Sequence, residues 1–378
     1  MSQMLEKQLE SMVFRFRVKG KVTSITPFGG GHINRTYIVT VTEDGGKTEQ
    51  KYTLQQINTT VFRDPHALMD NIQRVTSHIR QKLRAEGKDP ERGTLHMLPD
   101  RTGQYRYIKD DFGSYWRMYR FIDDSYAYDT VENPEMFRNA AKMFGLFQAQ
   151  LADFPAFTLN ETIPHFHDTG SRYLDFESAV ARDAAGRAAS VQEEIEFVRA
   201  RRKETYCIQN HVIAGDIPLR VTHNDTKLNN VLMDADGEGL CVIDLDTVMP
   251  GSALYDFGDS IRYGASTAAE DEPDLSKVSL DLTLFEAFAD GYLETAGQAM
   301  TVLERQLLPF SAKMMTLECG MRFLADYLNG DVYFKIEQAD HNLLRARTQF
   351  KLVQEDEDKM EEMNAIVARL CEKYHLAY

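Results

Sequence analysis

The sequence predicts an α+β fold in two lobes, a small β-rich N-terminal lobe followed by a larger, mainly helical C-terminal lobe. Three observations predict it. Short strand-like runs crowd into the first third of the chain, helical patterning dominates from about residue 133 onward, and one compact hairpin over residues 230–244 interrupts the helical part. The lobes are expected to divide as residues 1–120 and 121–378, and a chain of 378 residues with 43% hydrophobic content can fill both.

Residues 4–14 are weakly helical. Strands are predicted over 21–27, 35–42 and 50–57, with Asp44-Gly45-Gly46 as the turn between the second and third. A helix is predicted from Pro65 to Ala85, because Leu68, Ile72, Val75 and Ile79 recur at helical spacing. Short strands at 94–98, 104–109 and 115–122 complete the first lobe. Helices then follow at 134–152, 190–211, 275–296, 301–328 and 341–375.

The formal net charge of −15 argues against a general binder of nucleic acid or anionic membrane. No apolar run approaches the ~20 residues that span a bilayer, and MSQMLEKQLESM lacks a signal-peptide core. The four cysteines (Cys207, Cys241, Cys319 and Cys371) are scattered without a CxxC pair, which reads as idle thiols in a reducing compartment. A cytoplasmic protein acting on small molecules, as monomer or homodimer, is expected.

The chemistry concentrates at HNDTKLNN (223–230) and VIDLD (242–246). NVLMD and LCVID are short apolar runs flanking Ala235–Gly239, a β-hairpin pattern. With those five residues as the loop, Met233 pairs near Cys241 and Asn230 falls opposite Asp244. Directly paired side chains lie about 4.5–5.5 Å apart, and an amide oxygen beside a carboxylate offers two hard donors to Mg²⁺. Asp225, in the loop entering the first strand, is placed to orient a hydroxyl and accept its proton. Lys227 would put a positive charge near a transferring phosphate, and His223 would brace the loop. This is the layout of a two-lobed, protein-kinase-like fold using ATP and Mg²⁺. Asp246 is either a second metal contact or a solvent-facing residue.

Upstream, Phe28-Gly29-Gly30-Gly31-His32-Ile33-Asn34 lies between two strands. Its glycines let backbone N–H groups approach phosphates, although a plain hairpin would look the same. The third strand, KYTLQQIN, is where a kinase places its phosphate-anchoring lysine, but Gln55 and Gln56 stand there, so the anchor is altered or supplied elsewhere. The strand WRMYRFI (116–122) would form the hinge beside adenine, with Tyr119 and Phe121 among the nucleotide contacts. Of two DFG triplets, Asp111-Phe112-Gly113 reads as a turn. Asp256-Phe257-Gly258 opens a helix, with Asp256 a helix-terminal carboxylate able to bond back to the catalytic loop.

HNDTKLNN resembles the HxDxxxxN motif of the aminoglycoside phosphotransferase and choline kinase superfamily, and VIDLDTVMPGSALYDFGDSIR resembles its metal-binding segment. Four segments together resemble the N-acetylhexosamine 1-kinase branch: GGGHINRTYIV, LQQIN, HNDTKLNNVL and MTLECGMRFLADYLNGDVYFK. The resemblance covers roughly residues 20–350. It implies a bilobal kinase-like fold, Mg-ATP as donor, and the anomeric hydroxyl of N-acetylglucosamine or N-acetylgalactosamine as acceptor. It further implies Asp225 as base, Asn230 and Asp244 as metal ligands, and Arg322, Asp326 and Tyr327 as substrate contacts. Read from the residues alone, Arg322 and Asp326 could equally form an ion pair within one helix. Other acceptors (an amino alcohol, a thioribose, an aminoglycoside) and a non-catalytic nucleotide-binding protein are the competing readings.

Overall fold

The structure, a computed structural model, describes residues 3–29, 33–43, 46 and 48–378. It has the expected α+β, bilobal kinase-like architecture. Five antiparallel strands, β1 (Lys21–Pro27), β2 (Arg35–Glu43), β3 (Thr48–Ile57), β4 (Ile108–Lys109) and β5 (Tyr115–Arg120), form a sheet in the order β1-β2-β3-β5-β4. Alternate residues Val39, Val41, Leu54 and Met118 face α1 (Gln3–Val13), whose Leu9, Met12 and Val13 close a small core. Of the expected turn, Asp44 and Gly45 lie outside the described residues. Gly46 has φ +101°, and its N–H donates to the Glu43 carbonyl at 3.0 Å.

Two expected strands are shorter than their patterns. Residues 94–98 contribute only a bridge from Met97 to Tyr119, because the chain turns away at Pro99 and Asp100. Asp100 Oδ1 accepts the N–H groups of Gly103, Gln104 and Tyr105, so the first half of the 104–109 run is bound into a turn and only Ile108–Lys109 pairs. Helix α2 spans Pro65–Ala85 as expected: Asp64 caps it by accepting from His66 and Ala67, and Pro65 opens it. Asn71 of α2 donates to the carbonyls of Val248 and Asn160, which ties this helix to the second lobe.

After a short turn, α3 (Pro90–Gly93), the helical lobe begins with α4 (Pro134–Gln150) and α5 (Thr169–Arg182), the latter absent from the expected elements. The 190–211 run is broken into α6 (Gln192–Ala200) and α7 (Cys207–Ala214), where the buried Thr205 hydroxyl turns back to the Arg202 carbonyl. Then come α8 (Ala253–Gly264) and α9 (Leu282–Ala296), which starts later than expected because Asp281 caps it. The 301–328 run divides into α10 (Val302–Gln306) and α11 (Leu308–Asn329), since Pro309 has no N–H to continue the ladder. The last run divides at Lys359 into α12 (His341–Asp358) and α13 (Met360–Lys373).

Two short ribbons position the chemistry. β6 (Arg220–Thr222) pairs with β9 (Met249–Gly251), and β7 (Val231–Met233) pairs with β8 (Gly239–Val242). The loop 223–230 runs from β6 to β7, and the segment 243–248 runs back from β8 to β9. Both loops are therefore pinned at both ends by the same two ribbons. Behind them Phe257 sits edge-on to Phe285, Phe288 and Tyr292, and α9 packs on α4 so closely that a Cβ on Gly291 would collide with the Arg138 carbonyl. Gly291→Ala is expected to lower stability by about 1–3 kcal/mol, read as a fall in the urea midpoint. An unchanged midpoint would contradict this packing.

Candidate active site

The catalytic loop hangs on Asp256, in the first turn of α8. This buried carboxylate accepts the His223 N–H (2.9 Å) and Gln148 Nε2 (2.9 Å) on one oxygen and the Asn224 N–H (2.8 Å) on the other. Its own carbonyl accepts the Thr226 hydroxyl at 2.6 Å. Asp256 thus bonds back to the loop, as the sequence suggested. The Asp111 triplet is indeed a turn, closed by Gly113 N–H to the Asp110 carbonyl.

His223 is fully buried between Phe144 and Phe147. Nε2 lies 2.8 Å from the Ile243 carbonyl, and Nδ1 faces the Asp225 N–H at 3.3 Å. A carbonyl on one nitrogen and an N–H on the other define the neutral Nε2–H tautomer. His223 therefore braces the two loops, with both ring nitrogens engaged by backbone.

Asp225 and Asn230 come together: Asn230 Nδ2 donates to the Asp225 carbonyl (2.8 Å) and to its Oδ2 (3.2 Å), and Lys227 Nζ lies 2.8 Å from Oδ1. Burial works against the Lys227 charge, but Asp225 and Asp259 outweigh it and hold its pKa above the ordinary lysine value.

The hairpin register differs by one residue from the expected one. Leu232 pairs with Cys241, and the Ile243 N–H donates to the Asn230 carbonyl, so Ile243 rather than Asp244 stands opposite Asn230. The cause is Asp234, whose Oδ1 accepts the N–H groups of Asp236 and Glu238; it draws Asp234 into the five-residue loop, which becomes 234–238, and the ladder takes up the change as a bulge at Leu232/Met233. Asp244 falls just past the strand with φ +57°, a left-handed conformation that Asp tolerates better than most residues.

The Asp244 side chain keeps a water-accessible edge but is largely walled in by surrounding protein, and it makes no hydrogen bond among the described residues. Lost hydration first, then the negative charges of Asp246 and Asp225, push its pKa up to about 6 despite Arg117. A carboxylate with like charges around it and no donor suits a divalent cation. Asn230 spends its Nδ2 on Asp225, which leaves its Oδ1 for the same ion. Among the described residues no group of three or more His, Cys, Asp or Glu could hold a metal ion.

On the nucleotide side, Gly29 has φ +72°, while Gly30, Gly31 and His32 lie outside the described residues. Phe28 meets Phe121 edge-to-face with ring centroids 6.1 Å apart, and Tyr119 is half-buried in the wall near Asp244 and Asp246. Gln55 is not left free for a phosphate. Its Oε1 accepts Arg117 Nε (2.9 Å) and its Nε2 donates to Thr36 Oγ1 (3.0 Å). Asp246 does not face solvent: it is 3% exposed, pairs with Arg117, and accepts Asn34 Nδ2 at 2.6 Å. The sequence alone gave Arg117 no role.

Beyond Asp225, Arg262 pairs with Asp259 (2.9 Å) and Glu270 (2.9 Å). His167 Nδ1 lies 2.7 Å from buried Glu318 and its Nε2 lies 3.2 Å from the Asn224 carbonyl. Both ring nitrogens face acceptors, so the ring is an imidazolium. Thr169 completes the Glu318 shell at 2.7 Å. Arg322 sits by the rings of Phe166 and Phe334, 5.8 and 5.5 Å from their centroids, and has no carboxylate partner among the described residues. It forms no ion pair with Asp326.

Asp326 and Tyr327 are engaged away from the cleft. Asp326 accepts the N–H groups of Val332, Tyr333 and Phe334 and the Asn342 amide, so it shapes the loop that carries Phe334. Tyr327 lies under the Arg187 guanidinium, 4.4 Å from its ring centroid.

Residues 24–303 match the model of the phosphotransferase enzyme family, APH. The chain belongs to that family. Solved structures with the same fold include a microcompartment-associated aminopropanol kinase (14% identity, 95% of this chain and 98% of that one covered, TM-score 0.55). An aminoglycoside phosphotransferase from Alicyclobacillus acidocaldarius subsp. acidocaldarius DSM 446 matches at 12% identity, covering 96% of each chain, with TM-score 0.52. A choline kinase from Cryptosporidium parvum Iowa II matches at 13% identity over 95% of this chain and 97% of that one, with TM-score 0.52. At these identities the likeness is one of fold. Together with the family match, it sets the chain in the aminoglycoside phosphotransferase and choline kinase superfamily.

The Asp244 environment has a sign. Its folded-state pKa of about 6 lies above the ordinary 3.8, so the folded chain holds that proton more tightly, and stability falls as pH rises through this window. Asp244→Asn is expected to raise the melting temperature of the metal-free phosphotransferase at pH 7.5 and to abolish the extra stabilisation by Mg²⁺ with ADP; a lower metal-free melting temperature would contradict this. For His167, Glu318 raises the ring's pKa against the opposing effect of burial, so its contribution is complete below the unfolded histidine value and fades as pH rises through the raised one. The stability deficit of His167→Gln, measured in urea, should therefore be larger at pH 6 than at pH 9.

Proposed function

We propose that this phosphotransferase moves the γ-phosphoryl group of Mg-ATP to the anomeric hydroxyl of an N-acetylhexosamine. In this reading residues 1–120 form the nucleotide-binding lobe and residues 121–378 the catalytic and acceptor-binding lobe. The observation that carries the reaction type is Asp225 fixed between Lys227 and Asn230, beside the unbonded carboxylate of Asp244. Asp225 takes the proton of the acceptor hydroxyl as its oxygen bonds to the γ-phosphorus, and the bond to the β–γ bridging oxygen breaks to release ADP. Lys227 orients the Asp225 carboxylate and keeps positive charge beside the transferring group. Mg²⁺, held by Asn230 and Asp244 together with the nucleotide, would neutralise phosphate charge.

The acceptor side supports a neutral sugar over an ammonium compound. Asp259 and Glu318 are paired with Arg262 and His167, whereas Arg322 between two rings has no carboxylate in ion-pair distance among the described residues. A guanidinium of that kind repels choline-like or aminoglycoside cations and can donate to a carbonyl such as an acetamido group. Aromatic faces beside it suit the apolar face of a hexose.

The test is ADP release across N-acetylglucosamine, N-acetylgalactosamine, glucose, choline, ethanolamine and an aminoglycoside. Turnover is expected with the two N-acetylhexosamines, and Asp225→Asn should lower kcat by about 10²–10⁴-fold. Turnover confined to the ammonium acceptors would overturn the acceptor assignment. Tight ATP binding without turnover on any acceptor, or full activity in Asp225→Asn, would overturn the reaction.

A further inference from the structure

The third strand holds Gln55, near its C-terminal end, where a kinase would place a phosphate-anchoring lysine, and the lysine that the strand does carry, Lys51, pairs with Asp123. The register of the sheet sets Arg117 of β5 directly beside Gln55. Directly paired residues share a face, so Arg117 projects on the same side of the sheet, one strand over. Nothing in the linear sequence joins the two, which are 62 residues apart.

The Arg117 side chain is held in one orientation. Nε donates to Gln55 Oε1, and Gln55 is in turn tied to Thr36, so the glutamine serves as a strut for the arginine. Nη1 pairs with Asp246, which Asn34 bonds from the other side. Asn34 is the last residue of the glycine-rich segment 28–34, and Asp246 lies two residues beyond Asp244. The guanidinium is thus bracketed by the two segments expected to enclose the phosphates. Arg117 is 4% exposed, yet Nη2 has no hydrogen-bond partner among the described residues. A nearly buried guanidinium with an unused edge, facing the cleft between those segments, is set up to accept an anion.

We propose that Arg117 is the phosphate-contacting cation of this enzyme, supplied from β5 in place of a β3 lysine and shared with Asp246. This assignment rests on the Mg-ATP reading above. The competing role for the same residue is a latch: the Arg117–Asp246 pair joins the N-terminal sheet to the segment 243–248, and a latch alone would need no nucleotide.

The two roles separate in direct binding without metal. Calorimetry with ADP and with adenosine, in EDTA, is run on the wild type, Arg117→Met, Arg117→Lys and Asp246→Asn, each first checked for cooperative unfolding. Arg117→Met should weaken ADP by tenfold or more and adenosine by less than twofold, and Arg117→Lys should recover part of the loss. Asp246→Asn breaks the same latch but keeps the cation, so its ADP affinity should equal or exceed that of the wild type. Parallel losses of ADP and adenosine in Arg117→Met, or equal ADP losses in Arg117→Met and Asp246→Asn, would leave the latch and overturn the phosphate contact. Wild-type protein that binds neither ADP nor ATP with Mg²⁺ would instead overturn the nucleotide reading, and this assignment with it.

Discussion

The site depends on one buried carboxylate. Asp256 takes two consecutive backbone N–H groups, those of His223 and Asn224, together with the Gln148 amide. Two adjacent amides can point at one carboxylate only if the chain bends sharply, and Asn224 accordingly has φ +64°. That bend turns Asp225 out of the strand direction and towards Asn230 and Lys227. The carboxylate is itself located by α8, whose N-terminal turn favours a negative charge, and α8 is fixed by Phe257 and by close packing on α11, where a Cβ on Gly258 would collide with the Ser311 carbonyl. Helix packing in the second lobe is thereby converted into the position of a single loop carboxylate.

The charges around that loop follow a common logic. Most are paired within the protein: Lys227 with Asp225, Arg262 with Asp259, His167 with Glu318, Arg117 with Asp246. Two groups are left over among the described residues. Asp244 is an anion without a donor and Arg322 a cation without a carboxylate in bonding distance; in the proposed reading the first meets the nucleotide and its metal and the second the acceptor. Unbalanced charge is costly to maintain in a folded protein, and its persistence at these two positions is what ligands of opposite polarity would relieve.

The parts that were legible in the sequence are those specified locally. Helix α2 was legible because Leu68, Ile72, Val75 and Ile79 recur at helical spacing within one segment. The 230–244 hairpin was legible for the same reason, but its register slipped by one because Asp234 closes the turn through its side chain, which residue pattern does not reveal. Arg117 was passed over because its role appears only when β5 is laid beside β3. His167 and Glu318, 151 residues apart, gave no signal at all. Asp326 and Tyr327 show the opposite case: Asp326, one turn on from Arg322, lies on the same helix face, but its carboxylate is taken up by the N–H groups of Val332, Tyr333 and Phe334, and Tyr327 lies under Arg187.

The central claim is that the catalytic loop is built before any ligand arrives, by Asp256. Amide hydrogen exchange of His223 and Asn224, followed by NMR on the nucleotide-free protein, tests it most directly. Held by a buried carboxylate, both amides should exchange only as slowly as the core of α8, and both should become fast in Asp256→Ala while core amides remain protected. Exchange of these two amides in the wild type at the rate of an open surface loop, with protection appearing only when nucleotide is added, would contradict the account.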